Sequence, residues 1–369
     1  MTQSVPPYGD RWETPKVPNL RIVTDNATHH LALTAEDNAV LSPMLTDLAK
    51  RYDTVEDSEL ARRAPVLARA LPVHLLEFLE EFRIGEPAAL CVISGLAVDE
   101  AQLGPTPTHW RDSQFDSPAF PQEIFFLLCA SVLGDVFGWG TQQDGRIMHD
   151  VLPIRGHENY EIGSNSLQPL SWHTEDAFHP CRGDYVALMC LKNPDEVATI
   201  VCTVPDLDLT NVDVDALFEP EFTVMPDNSH QPQNARESTG DAGVDALRAR
   251  SFRLIELWNS NPDKRALFFG DRSSPYLSLD PYHMDPTGWP QRSQRAFAAL
   301  VAEIEAKMTS VVLRPGDCVF IDNFRAVHGR KSFTPRYDGS DRWLKRLNIT
   351  RNIRGSRAWR TAPDSRIIH

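Results

Sequence analysis

From about Gly145 to its end the chain breaks into short apolar or alternating runs separated by turn residues, among them "RIMHDVLPI", "SWHTEDAF", "DYVALMCL", "ATIVCTV", "VVLRPGDCVFID" and "RWLKRLNIT". Side chains alternate between the two faces of a strand, so runs of this kind read as strands that bury one or both faces. Many of them in succession imply a barrel or sandwich. The front of the chain differs. Thr34 and Asp37 form a capping-box-like start, followed by Val40, Leu41, Met44, Leu45 and Leu48 at helical spacing. "LPVHLLEFLEEFRIG" gives a second helix with Pro72 near its start and Gly85 beyond its end, "AALCVISGL" a strand, and "FPQEIFFLLCASVLG" a buried helix between Pro121 and Gly134. A further amphipathic helix carries Phe297, Leu300, Val301, Ile304 and Met308 on one face and is expected to pack outside the sheets. The predicted class is mainly β with flanking helices.

With 41% apolar residues, 369 positions are enough for one large domain with a full core. The expected organisation is a flexible tail over 1–19 and a single domain over 20–369, with an insertion or lid at about 205–262. Within it "PDNSHQPQNARESTGDAG" reads as too polar for a core. A net charge of −14 argues against a nucleic-acid or anionic-membrane surface and allows a cationic small molecule. The six cysteines are widely spaced without a CxxC and read as buried free thiols. No signal peptide or membrane span is evident, so a cytoplasmic location is expected.

Two segments carry chemistry. In "SWHTEDAFHP", His173 and Glu175 stand two positions apart in a run that reads as a strand, so both side chains turn to one side. In "DNFRAVHGRKSF", His328 supplies a third donor. Two histidines and one carboxylate make a facial triad, which leaves coordination positions open and suits non-haem Fe(II); a structural zinc site is more often four-coordinate and cysteine-rich. Beyond it, Arg342, Leu344 and Arg346 of "RWLKRLNIT" share one strand face. Two inward arginines need anionic partners, either nearby acids or a dicarboxylate such as 2-oxoglutarate, gripped bidentately by a guanidinium.

The segments "WHTEDAFHPCRGDYVALMCLKNPD", "VFGWGTQQDG", "GDCVFIDNFRAVHGRKSF" and "PRYDGSDRWLKRLNITR" resemble the clavaminate-synthase-like branch of the Fe(II)/2-oxoglutarate oxygenases, in particular its free-arginine hydroxylases and enduracididine hydroxylase. The resemblance implies a double-stranded β-helix, or jelly roll, with His173, Glu175 and His328 as iron ligands and catalytic centre. It implies Arg342 as the residue that binds the distal carboxylate of 2-oxoglutarate, with Thr199 as a weaker co-substrate contact. Gln142 and Arg346 match residues that hold the α-amino and α-carboxylate groups of an amino acid, Asp280 one that pairs with a guanidinium, and Glu175 counts as a substrate contact besides being a ligand. The arginine hydroxylases carry a second aspartate where Tyr282 stands here, a departure that looks more like the enduracididine enzyme. Gly163 and Ser164 lie on the approach to the iron strand and read either as substrate contacts or as a simple bend.

The implied reaction is hydroxylation of the β-carbon, or also the γ-carbon, of free L-arginine or another basic amino acid in the making of a peptide antibiotic. Dioxygen is consumed and 2-oxoglutarate becomes succinate, with the loop near 228–243 closing over the site. A halogenase of the same fold would carry a small residue in place of Glu175. A non-catalytic metal-binding jelly roll would have no use for the Arg342 and Arg346 pair, and a metal-dependent hydrolase would not need 2-oxoglutarate. His179 reads as a bystander, Asp176 as a structural acceptor facing away from Glu175, and Asp322 and Asn323 as turn stabilisers. Oligomeric state leaves no mark on the sequence.

Overall fold

The structure is a computed structural model and describes residues 22–24, 27–113, 116–232, 238 and 240–369. The tail expected over 1–19 lies outside the described residues, as do 233–237 and 239 of the expected closing loop.

Two sheets organise the chain. The larger runs Ile22–Thr24, Thr28–Ala32, Leu90–Ser94, Cys318–Asp322, Tyr185–Lys192, Trp343–Thr350, Asp135–Trp139 and Ile367–Ile368, with Met148–Val151 also paired to Trp343–Thr350. The smaller runs Thr309–Val311, Thr199–Thr203, Ala326–Arg330 and Leu170–His173. Val186, Leu188, Cys190, Val319, Ile321 and Leu344 of the larger sheet meet Val201 and Ala326 of the smaller in one apolar cluster. The intervening residues Ala187, Met189, Leu191 and Phe320 turn the other way, onto the helices. A strand buried on both faces must be apolar throughout, which is why "YVALMCL" does not alternate with polar residues.

The helices Ala35–Ala49, Ser58–Leu67, Val73–Gly85 and Phe120–Leu133 cover the outer face of the larger sheet. Thr34 and Asp37 close the capping box in both directions, each side chain meeting the other's backbone. Gly85 is the last helical residue rather than the one beyond, and Glu86 takes the left-handed turn at φ 47°. The helix Ser58–Leu67 escaped the sequence reading, although Asp57 is a capped N-terminus whose Oδ1 accepts from Glu59 N and Leu60 N. All six cysteines are free.

The polar stretch of the insertion departs from expectation. His230 is only 1% exposed, and helix Ala242–Ser260 follows it, capped by Asp241. Val212, Leu217, Phe222, Val224 and Ile255 of the 205–262 region join Leu300 and Ile304 of helix Gln291–Lys307 in a second apolar cluster behind the smaller sheet. No helix among the described residues is long and apolar enough to cross a membrane.

The strand Trp343–Thr350 carries polar groups on both faces. Leu344 and Arg346 look between the sheets, while Lys345 looks toward the helices, its ammonium 2.8 Å from Glu123 and 2.6 Å from Asp150.

Candidate active site between the two sheets

The smaller sheet brings the two histidines together. Leu170–His173 pairs with Ala326–Arg330 in a register that sets His173 directly opposite His328. The register shifts just beyond, where Gly329 is needed: a Cβ there would lie 2.6 Å from Leu170 O. The ring centroids stand 4.8 Å apart.

Glu175 is not on the strand, which ends at His173. Thr174 turns the chain out by bonding Leu279, its N–H donating to Leu279 O at 2.9 Å and its hydroxyl accepting from Leu279 N at 3.1 Å. The turn nonetheless delivers the carboxylate to the same point: Glu175 Oε2 lies 3.6 Å from His173 Nε2 and 3.4 Å from His328 Nε2. Asn323 fixes this turn, its Oδ1 accepting from Glu175 N at 2.7 Å and its Nδ2 donating to Glu175 O at 3.0 Å. Its expected turn-stabilising part is therefore played on the turn that carries Glu175, across 148 residues of sequence. His173 Nδ1 donates to Ser171 O at 2.8 Å, which leaves the Nε2 lone pair free for a metal.

Electrostatics follow from burial. Burial would lower the His173 value, but its contact with Glu175 and the charges of Asp280 and Glu175 raise it, so a metal would take the place of the Nε2 proton. His328 is pushed below the ordinary histidine value, first by burial. Against its own burial, Glu175 is held well below the usual carboxylate range by Arg346, whose Nη1 donates to Oε1 at 2.5 Å. Arg346 Nη2 also reaches Gln142 Oε1 at 2.8 Å and His149 Nδ1 at 2.7 Å.

Arg342 is different. It is 6% exposed, it forms no ion pair among the described residues, and its Nε has no hydrogen-bond partner. Desolvation lowers it to about 10. Its neighbour Arg330, opposite Thr199 in the strand register, is fully engaged by oxygens: Asn165 O at 2.5 Å, Asn165 Oδ1 at 2.6 Å, Gln168 O at 2.9 Å and Lys331 O at 3.1 Å. Thr199, Arg330 and Arg342 line an open cavity that also holds the triad. A buried cation with an empty fork calls for an anion.

The cavity also has acidic lining. Asp227 and Asp280 contribute to it, with Ser229, Tyr282 and His283. Asp280 precedes the short 3-10 turn Pro281–His283 without capping it; instead its Oδ2 accepts from His283 Nδ1 at 2.8 Å. Gln142 and Ser164 line an adjoining cavity that shares Arg346, Ser229 and Gly163 with the first. The Ser164 hydroxyl is 2.8 Å from His157 Nδ1.

Sequence reasoning missed Asp227, Ser229 and His230. Asp227 Oδ1 accepts from both the N–H and the hydroxyl of Ser229, and His230 anchors the turn: its Nε2 is 2.9 Å from Asp176 Oδ1 and its Nδ1 2.7 Å from the Thr141 hydroxyl. Asp176 is a structural acceptor, as expected, but on a turn rather than a strand, with φ of 52°; it also accepts from Trp139 Nε1 at 2.7 Å. His179 packs against Trp139 and lies outside the triad.

Residues 220–348 match the family described as taurine catabolism dioxygenase TauD, TfdA family. Over 342 residues, 92% of this chain and 100% of the other, the sequence is 70% identical to an L-ornithine/L-arginine 3-hydroxylase of Catenulispora acidiphila. The chain belongs to the TauD/TfdA dioxygenase family. Within this family it is also 43% identical, over 92% of its length and 99% of the relative's, to the enduracididine beta-hydroxylase of Streptomyces hygroscopicus. Among solved structures, the non-heme iron oxygenase OrfP in complex with Fe, succinate and (3S)-hydroxy-L-Arg superposes with a TM-score of 0.85 at 41% identity, covering 92% of this chain and 99% of that one. The resemblance drawn from the four sequence segments is borne out by these relatives.

Proposed function

We propose that this chain is an Fe(II)- and 2-oxoglutarate-dependent hydroxylase of a free basic amino acid, L-arginine foremost, acting at the β-carbon. The observation that carries the reading is the lining of one cavity: a buried guanidinium with no ion pair among the described residues, two carboxylates and a His-Glu-His cluster. The two-sheet sandwich is read as the family's double-stranded β-helix.

The residues fit the absent groups. Three donor atoms of His173, Glu175 and His328 lie within 4.8 Å of one another, and the Nε2 atoms face a shared carboxylate oxygen, the donor set expected for Fe(II). Arg342, with Thr199 beside it, supplies the counter-charge for the distal carboxylate of 2-oxoglutarate. Bound iron, with 2-oxoglutarate and dioxygen, supplies an oxidant able to take hydrogen from an unactivated carbon and return hydroxyl, with succinate and carbon dioxide as the other products.

The protein's part is positioning. Arg346 holds Glu175 by one oxygen, leaving the other toward the histidines, and its second nitrogen, with Gln142, is placed to meet the α-carboxylate and α-amino group of an amino acid. Asp227 and Asp280 receive the cationic end of the side chain. Holding both ends fixes which carbon faces the triad. The relative named for ornithine as well as arginine supports a second substrate, L-ornithine. The test is succinate release with free amino acids added one at a time: arginine and ornithine should stimulate it and gain one oxygen atom, and stimulation by neutral amino acids alone would refute the reading.

A further inference from the structure

Asp280 and His283 sit at the two ends of a tightly built turn. Pro281 fixes the backbone at its start, and His283 N donates to Asp280 O at 3.0 Å. The same turn brings the imidazole back onto the side chain, where Nδ1 donates to Asp280 Oδ2 at 2.8 Å. The ring is held in place. Its residue's carbonyl accepts from Met225 N at 2.9 Å, and the Tyr282 ring packs edge-on at 4.9 Å. Both Asp280 and His283 are buried, and both line the cavity. One oxygen of Asp280 is thus committed before any ligand arrives, and no described residue donates to Oδ1.

We propose that His283 is a specificity-determining residue: by holding Oδ2 and the orientation of the carboxylate it leaves Oδ1 as the acceptor presented to the substrate's cation, so that the cavity accepts amino acids ending in a primary ammonium as well as those ending in a guanidinium. The proposal rests on the reading of Asp280 as the partner of the substrate's cation. A carboxylate with both oxygens free matches a guanidinium with two parallel N–H···O bonds, an advantage that an ammonium, a compact point charge, does not share. Blocking one oxygen removes that advantage from arginine alone. What arginine and ornithine have in common is the nitrogen attached to the δ-carbon, and a single acceptor oxygen directed at that nitrogen serves both.

The test compares kcat/KM for L-arginine and L-ornithine, read as succinate release by the iron-loaded full chain. For the wild type the two values should lie within about tenfold of each other, since Asp280 offers one charge-assisted contact to each. In His283→Leu both oxygens of Asp280 are free, and the arginine-to-ornithine ratio should rise about tenfold, the worth of one added charge-assisted hydrogen bond. His283→Asn, whose side-chain N–H can stand where Nδ1–H stood, should return the ratio to about the wild-type value. A general loss of packing would lower both rates without moving their ratio. An unchanged ratio in folded His283→Leu, or an equal shift in His283→Asn, overturns the proposal. Should the leucine variant not fold, His283→Ala carries the same expectation, and a wild type that rejects ornithine overturns the proposal without any variant. If the wild type uses neither amino acid, the reading of the cavity fails instead.

Discussion

Replacing Arg342 by lysine keeps the charge and removes the fork, which makes it a direct probe of co-substrate binding. The guanidinium is 6% exposed, has no ion-pair partner among the described residues and has an orphaned Nε, so its hydrogen-bonding capacity is held in reserve for a ligand. Arg330 cannot take its place, because its nitrogens already donate to Asn165, Gln168 and Lys331. A lysine would offer one strong contact where the fork offers two, and its ammonium is more strongly hydrated. The lost charge-assisted bond is worth about 1.5 to 3 kcal/mol, or roughly ten- to a hundredfold in affinity. The assay is succinate formation against 2-oxoglutarate concentration at saturating arginine. Half-saturation should rise by that factor while the rate at saturation stays near the wild type, since the triad is untouched. An unchanged half-saturation, or a rise in the arginine requirement alone, would refute the assignment.

His173→Ala, Glu175→Ala and His328→Ala should each abolish turnover and Fe(II) binding while circular dichroism shows a folded chain; turnover in any one removes that residue from the metal site. Asp280→Asn should weaken use of arginine by roughly 2 to 5 kcal/mol, the cost of truncating one side of a buried charge pair, and leave uncoupled 2-oxoglutarate consumption intact; unchanged arginine kinetics would contradict this. Lys345→Met leaves Glu123 and Asp150 buried without their shared ammonium, and urea unfolding should report a loss of roughly 3 to 5 kcal/mol. His149 and His179 are held well below the ordinary histidine value, first by burial, so between that value and their folded values the unfolded chain binds more protons. Their contribution to stability is therefore present above about pH 6.5 and lost as pH falls below it. A urea midpoint that does not drop between neutral and mildly acidic pH, or that drops equally in His179→Phe, would contradict the neutral state of His179.

The parts of this site that were legible in the sequence are those that strand alternation exposes. Arg342, Leu344 and Arg346 line the cavity as their spacing implies, and His173 with His328 are paired across two strands. Glu175 stands with the two histidines, but not for the reason its spacing implies: it reaches them from a turn that Thr174 and Asn323 build, not from the strand face. The turn Asn228–His230 was illegible because polarity marks a segment as surface only when its groups meet water. Here they meet one another, His230 with Asp176 and Thr141, Ser229 with Asp227, and a buried polar residue satisfied by partners far away in sequence leaves no local pattern. The left-handed backbone of Asp176, a non-glycine residue beside Glu175, is the structural mark that points to that network. Lys345 was hidden for the opposite reason: it shares its strand face with Trp343 and Leu347, on a strand buried on both faces, and only the helix carrying Glu123 explains it. Helix Ala242–Ser260 was legible after all, in the Asp241 cap and in Ser251, Ile255 and Trp258 at helical spacing, but the polar stretch before it masked the signal.

The most direct test of the central claim supplies arginine, 2-oxoglutarate and isotopically heavy dioxygen to the iron-loaded enzyme and locates the new oxygen. The account predicts one heavy atom as a hydroxyl on the β-carbon of arginine, one in succinate, and equal amounts of the two products. A hydroxyl whose oxygen comes from water, or succinate formed at the same rate without the amino acid, would contradict it.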